Sequence, residues 1–110
     1  MATPNIVQLE STVICSGIAP MVVPSGGAHV RSTEIRLPLN FTDTPAVTAT
    51  PRAVTGLATT GTVFGIWSVI VNDLSPGDTQ IVIHAANVSN VGAAIKGDCV
   101  CDYVIVGTVK

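Results

Sequence analysis

The side chains that could perform chemistry are few in this sequence and lie far apart. The two histidines are His29, shortly after a pair of glycines, and His84, within an apolar run. Covalent catalysis requires a nucleophile beside a base, and acid–base catalysis requires two groups with separate roles. The seven carboxylates are scattered, and no GxSxG, HExxH or glycine-rich phosphate loop is present. We therefore predict that the protein is not an enzyme.

The three cysteines could in principle bind a metal or form a disulfide. Cys99 and Cys101 are two residues apart and would share one face of a strand, whereas Cys15 is distant in the sequence. A structural zinc site needs four ligands in paired spacing, which this pattern does not supply. We predict no metal and no other cofactor. Two alternatives remain: three buried thiols acting as small apolar side chains, or one disulfide from Cys15 to Cys99 or Cys101.

The composition predicts a single all-β domain over residues 1–110. Of the 110 residues, 40 are Val, Ile or Thr and only 5 are Leu, a balance that favours strands over helices. Charged residues make up 11% of the chain, against about 25% in an average soluble domain. This low charge suggests that part of the surface is buried in an assembly.

Several classes of partner and location are disfavoured by charge and hydropathy. A net charge of −2 with only five basic residues argues against a nucleic-acid partner. No apolar run approaches the ~20 residues that span a bilayer, so we predict no membrane insertion. Residues 1–6 lack a basic segment followed by an apolar stretch, so we see no signal peptide.

Alternating apolar residues and turn signals predict six strands and no helix. Strands this short and evenly spaced favour an antiparallel sandwich or a small barrel, of which we predict the sandwich. Pro38 suggests an edge strand or a bulge, and Pro51 interrupts another strand. The predicted strands are Asn5–Ile14 (ending before a break at Ser16-Gly17), Val30–Phe41, Ala46–Val54, Val63–Val71, Thr79–Asn87 and Cys99–Val109.

The strand predicted at Val63–Val71 is apolar on both faces. Only one face of a strand in a two-sheet sandwich meets the core, so the other face must be covered in another way. We predict that this second face is buried between subunits of a homotrimer. The interface would include Trp67, Ile70 and His84.

With these strands placed, residues 6–109 resemble the H-type lectin domain. Val7-Gln8 and Cys15-Ser16-Gly17 resemble the first strand of that family, and Leu74-Ser75-Pro76-Gly77 falls at its turn between the fourth and fifth strands. Arg31 to Ile35, Leu39-Asn40-Phe41 and Thr44 to Val47 resemble its second strand and the turn that follows. The resemblance implies a trimeric six-stranded sandwich that binds N-acetylgalactosamine-type sugars at subunit boundaries.

The sequence also departs from the family pattern. Ala86-Asn87 stands where the family tends to have a Trp after the fifth strand, and the family's last-strand Trp is replaced around Gly107. The family's cysteine partner falls in the fifth strand, whereas here the candidates lie in the sixth. The fold therefore transfers better than the sugar site. The low charge and the Thr/Val/Gly/Ala-rich chain are also similar to bacteriophage tail-fibre tips.

We therefore predict a non-enzymatic module that recognises a cell-surface glycan, as a receptor-binding protein of a phage or virus. It would be found on the virion or outside the cell. The alternative is a purely structural virion protein, such as a capsid-decorating or fibre-joining trimer. Binding residues on a β scaffold concentrate in loops, and the family pattern implies a site in which Ser25, Gly26, His29 and Arg31 face Asn87, Ser89 and Asn90.

Overall fold

The computed structural model describes residues 4–22, 30–55, 64–87 and 98–109. All the regular structure in these ranges is β, which confirms the predicted fold class. The count of six strands is not confirmed, because the described residues form seven. They are β1 (Asn5–Leu9), β2 (Thr12–Met21), β3 (Val30–Leu37), β4 (Ala46–Thr55), β5 (Phe64–Ser75), β6 (Asp78–Asn87) and β7 (Asp98–Thr108).

The strands form two antiparallel sheets that enclose one core in a sandwich-like arrangement. Sheet I has the order β1-β2-β7-β4 and sheet II has the order β3-β6-β5. The inner faces of β2 and β7 pack against the inner faces of β3 and β6. The core residues with almost no exposure are Leu37, Ile81, Ile83, Ile105, Val13, Thr79, Cys15 and Cys101.

The first predicted strand is wrong in its boundaries. The chain reverses at Glu10-Ser11, and β2 continues unbroken through Ser16-Gly17. Glu10 adopts a left-handed φ of 57° at this turn. Gly and Asn often adopt this conformation, whereas Glu seldom does, so the sequence does not predict the turn. Gly17 lies within β2 and is covered by the Tyr103 ring. A side chain does not fit there, because a Cβ would stand 2.6 Å from the Tyr103 hydroxyl.

Pro20, Pro38 and Pro51 lie where a strand has an unpaired side or ends, because proline has no N–H to donate to a neighbouring strand. β3 is an edge strand and ends at Leu37, directly before Pro38. Pro51 lies in β4, the outer strand of sheet I. Pro20 lies in β2, and β1 pairs with residues 12–16 of β2, so no described strand pairs with Pro20 on that side.

A β-bulge in β5 decides which side chains of the most apolar strand face outward. The pairing with β6 shifts between Ile66 and Ser68, so that Trp67 is an extra residue. Ile66 and Val71 pack against the core, whereas Trp67 and Ile70 are 60% and 43% exposed. The outer face of this strand is therefore uncovered in the single chain, which leaves its predicted burial between subunits as a proposal.

The three cysteines are buried and form no disulfide, and the strand register accounts for its absence. β2 and β7 are neighbours, but Cys15 pairs with Ile105, while Cys101 pairs with Ala19. The four-residue offset separates Cys15 from Cys101 by about 13 Å along the strands, and Cys99 is farther still. A disulfide needs Cα atoms within about 7 Å. Neither predicted bridge can form in this register.

We expect the thiols of the folded protein to be inert at neutral pH. Burial raises the pKa of the Cys101 thiol to about 11 and also raises the pKa of Cys15. The thiolate is the reactive species, so a raised pKa and burial both suppress attack. Titration with a thiol reagent at about pH 8, below the ordinary cysteine pKa, should find three thiols after denaturation and almost none within minutes in the folded protein. Fewer than three in freshly denatured protein would contradict the free-thiol state.

Candidate functional site

The two ends of the sandwich differ in what they present. The loop end is where β3 and β5 begin and where β6 ends, so the strand ends bordering residues 23–29, 56–63 and 88–97 lie there. The crossover end carries residues 38–45, which connect β3 in sheet II to β4 in sheet I. The turn between β5 and β6 also lies at this end.

Most of the predicted ligand-binding residues fall outside the described ranges. Ser25, Gly26, His29, Ser89 and Asn90 lie in the segments 23–29 and 88–97. Asn87 is the last residue of β6 and lies opposite Phe64 of β5. The structure thus places Asn87 at the loop end, beside the start of the strand that carries Trp67.

Arg31 is placed differently from the prediction. It lies opposite Ala85 in the β3–β6 ladder, which brings it to the loop end near Asn87. Its side chain, however, points between the sheets and is only 7% exposed, because it shares the inner face of β3 with Thr33 and Ile35. A buried Arg31 is a structural group and is poorly placed to meet a ligand in solvent.

The structure brings Trp67, Ile70 and His84 together on the outer face of sheet II. We call this surface, together with Ser68 and Val82, the Trp67 face. The Trp67 and His84 rings lie 5.3 Å apart between centroids, tilted by 37°. The buried Nδ1 of His84 has no hydrogen-bond partner among the described residues. An indole this exposed beside an imidazole is typical of a surface that meets a partner or ligand.

A second candidate site lies at the crossover end, in a cleft of about 500 Å³. We call it the crossover cleft. The end of β5 and the crossover form its two sides. Its lining combines apolar side chains, one phenyl ring, hydroxyls and two carboxylates, contributed by Phe41, Thr42, Asp43, Thr44, Pro45, Val69, Val71 and Asp73.

Side-chain hydrogen bonds hold the crossover in place. The Asn40 amide nitrogen donates to the Ser75 carbonyl at 3.2 Å, and its oxygen accepts the Gly77 N–H at 2.6 Å. The Thr42 backbone N–H donates to the Thr108 carbonyl at 2.8 Å. These contacts connect the crossover to both sheets, so the shape of the cleft is fixed by the folded core.

The Phe41 ring is held by a close approach to β7. A Cβ at Gly107 would stand 2.4 Å from Cδ1 and 2.7 Å from Cε1 of this ring. Real side chains do not tolerate such distances, so only glycine at this position leaves room for the ring. Phe41 also lines a second cleft, of about 450 Å³, with Gln8, Leu39 and Val109.

Sequence reasoning missed the crossover cleft. Asp43-Thr44-Pro45 is recognisable as a turn, but nothing in the sequence indicates that Asp73 lies across from it. The two carboxylates are 30 positions apart in the sequence and line one cleft only because the crossover passes beside β5. A signal was present in Gly107, since a glycine inside a strand often marks close contact with another group.

Comparison with known proteins gives no family for the chain: no family model, no curated protein and no solved structure matches it. The described residues include no group of three or more His, Cys, Asp or Glu side chains that could hold a metal ion. Within these same residues, no helix has the length and apolar character needed to cross a membrane.

Proposed function

We propose that this protein is a non-catalytic module that recognises a cell-surface carbohydrate and acts as a homotrimer. The observation that carries the proposal is the position of Trp67. Its exposed ring lies on sheet II, the sheet whose strand ends border the predicted binding loops. Its chain neighbours Ile66 and Ser68 pair with Ala85 and His84 of β6. An indole can stack on the apolar face of a sugar ring while loop amides and hydroxyls bind its polar groups.

The trimer is supported by the apolar character of the Trp67 face. Ile70 lies opposite Val82, and the Trp67 and His84 rings extend this surface toward the loop end, where the edge of the interface would leave one face of the indole open to a sugar. Burying such a surface contributes about 25 cal/mol for each Å² of apolar area removed from water. Three shallow sites on one axis would then act together, and effective concentration raises binding by roughly 10²–10⁴. Adhesion to a repeated surface glycan uses this effect.

The resemblance to H-type lectins supports the same proposal, including a site at a subunit boundary. Asn87 is the residue whose amide would bind an acetyl or hydroxyl group, with His29 as its partner across the site. Arg31 is left out of the proposed contacts because it is buried. This omission favours a neutral sugar over an acidic one.

A glycan array tests this function directly. We expect the native protein to bind a restricted set of glycans, and the double variant His29→Ala/Asn87→Ala to bind them at least tenfold more weakly, or ~1.4 kcal/mol. The melting temperature and the solution mass should not change, because the proposal assigns these two side chains to the ligand and not to the core. Thr48→Ala on the exposed face of β4 is the matched control and should bind normally.

The structural alternative makes the opposite prediction. β1 is exposed along its whole length, with Leu9 63% and Val7 53% exposed, and such a strand suits burial in a larger assembly. A protein that binds no glycan at high valency but binds assembled particles would be a structural module. Native binding that the double variant leaves unaltered would retain the function and move the site elsewhere.

A further inference from the structure

We propose that the crossover cleft is a second binding site, and that its ligand is a small organic cation carrying an ammonium or guanidinium group. The site lies at the opposite end of the sandwich from the glycan site proposed above. It is independent of that proposal, because it uses none of the same residues.

The first support is the unbalanced charge of the cleft. Asp43 and Asp73 both line it, and its lining contains no basic residue. Asp43 has no hydrogen bond or ion pair within the described residues, and Asp73 accepts only the Thr79 hydroxyl, at 3.1 Å from Oδ1. A cation bound in the cleft would be attracted by both carboxylates.

None of the described arginines lines the cleft, so none of them supplies this cation. Arg36 pairs with Asp78 and Glu34, and Arg52 pairs with Asp102 at 2.6 Å. Arg31 is buried between the sheets toward the loop end. Among the described residues, no basic side chain therefore balances the two carboxylates of the cleft.

The second support is the shape and chemistry of the walls. The Phe41 ring lines the cleft, and a cation close to an aromatic face gains about 0.5–1 kcal/mol at an exposed site. Thr42 and Thr44 add hydroxyls, and Val69, Val71 and Pro45 form an apolar surface for a carbon skeleton. A cleft of about 500 Å³ is within the range of small-molecule sites. Anionic ligands such as phosphates and acidic sugars are disfavoured by the same charges.

The walls are also fixed before any ligand binds. Asn40 and Thr42 attach the crossover to both sheets, and Gly107 lets the Phe41 ring lie against β7. A site whose walls are ordered by the fold loses little conformational entropy on binding. The cleft is therefore suited to binding rather than being a gap between mobile segments.

Glucosamine and N-acetylglucosamine form a matched pair of probes, because they share a ring and differ in the charge at one nitrogen. At about pH 6 the amine of glucosamine is protonated, as expected for an amine of this type. We expect glucosamine to shift the amide resonances of residues 41–44 and 69–73 with a millimolar Kd. N-acetylglucosamine should bind at least tenfold more weakly, and added salt should weaken the glucosamine complex.

Variants of the two carboxylates test the assignment of the site. Asp43→Asn and Asp73→Asn should each weaken glucosamine binding at least tenfold. Glu34→Gln is the control, since it removes the same charge from the outer face of β3. Asp43→Asn should keep the native melting temperature, because Asp43 makes no described hydrogen bond, so loss of binding in this variant cannot come from unfolding.

The source of the cation is distinguished by a third probe, argininamide. Tighter binding of argininamide than of glucosamine would support the site with a basic protein side chain as its ligand, and the reverse order would support it with an amino sugar. Equal binding of glucosamine and its N-acetyl form, or full binding in Asp43→Asn, would overturn the proposal. So would Ca²⁺ binding below millimolar concentration that displaces glucosamine, which would make the cleft a metal site. All these outcomes are read from the resonances of residues 41–44 and 69–73, so a sugar that binds at the loop end does not alter them.

Discussion

Replacing Gly107 with valine is expected to lower the free energy of unfolding by about 3 kcal/mol, the upper part of the range for overpacked cores. The new Cβ alone would stand 2.4 Å from the Phe41 ring and 3.1 Å from Pro45 Cβ. A rigid ring that is partly packed against the core cannot move aside without leaving a void. Thermal unfolding should show a melting temperature lower by more than about 10 °C.

Two further variants locate the cause in the ring contact. Val104→Ala, on an exposed position of the same strand, should change stability by less than about 1 kcal/mol. Adding Phe41→Ala to Gly107→Val should cost less than the sum of the two single changes, because the clash then has no partner. Native stability in Gly107→Val would show that the ring does not lie against β7.

Replacing Ile70 with aspartate is expected to dissociate the proposed trimer into monomers. Ile70 is 43% exposed in the single chain and lies opposite Val82 at the centre of the Trp67 face. A carboxylate buried there without a partner would cost several kcal/mol in each subunit. The folded monomer should tolerate the change, since the side chain then remains in water. Light scattering should therefore report one third of the native mass, with the far-UV spectrum retained.

Val106→Asp is the matched control for this experiment. Val106 is 39% exposed, almost the same as Ile70, but it lies on β7 in sheet I. The variant should keep the native mass if the Trp67 face is the interface. A native protein that is already a stable monomer would remove the trimer from the proposal, and dissociation by Val106→Asp alone would assign the interface to sheet I.

The starts of the strands after residue 29 could be predicted closely because local patterns decide them. Two strand ends were wrong: β3 was expected to continue to Phe41 but ends at Leu37, and β5 was expected to end at Val71 but continues to Ser75. The alternation that ends in Ile35 and Leu37 gives β3 and its buried face, and the Ser75-Pro76-Gly77 region gives the reversal between β5 and β6. These signals depend only on which residues a pleated strand buries and on which residues turns accept. The turn at Glu10 was missed because its positive φ is imposed by the pairing of β1 with β2.

The candidate sites could be predicted only in part. Trp67, Ile70 and His84 share one face only because of the bulge, since strict alternation would place residues 67 and 70 on opposite faces of β5. The bulge at Trp67 could not be foreseen, because it is a property of the pairing with β6. The inward direction of Arg31 was also missed, because Arg31 was assigned to the binding site beside the loop. Its position in the strand has the same alternation as Ile35 and predicts the inward face.

By itself the sequence determined the fold class, the scarcity of catalytic groups and the low charge, since these depend on composition and on period-two alternation. Only the tertiary structure decided which distant residues meet. The offset between Cys15 and Cys101 follows from the β2–β7 register. The presence of Asp43 and Asp73 in one cleft follows from the path of the crossover beside β5. Register and crossover path are set by how two sheets fill one core together, and that packing is a property of the whole chain.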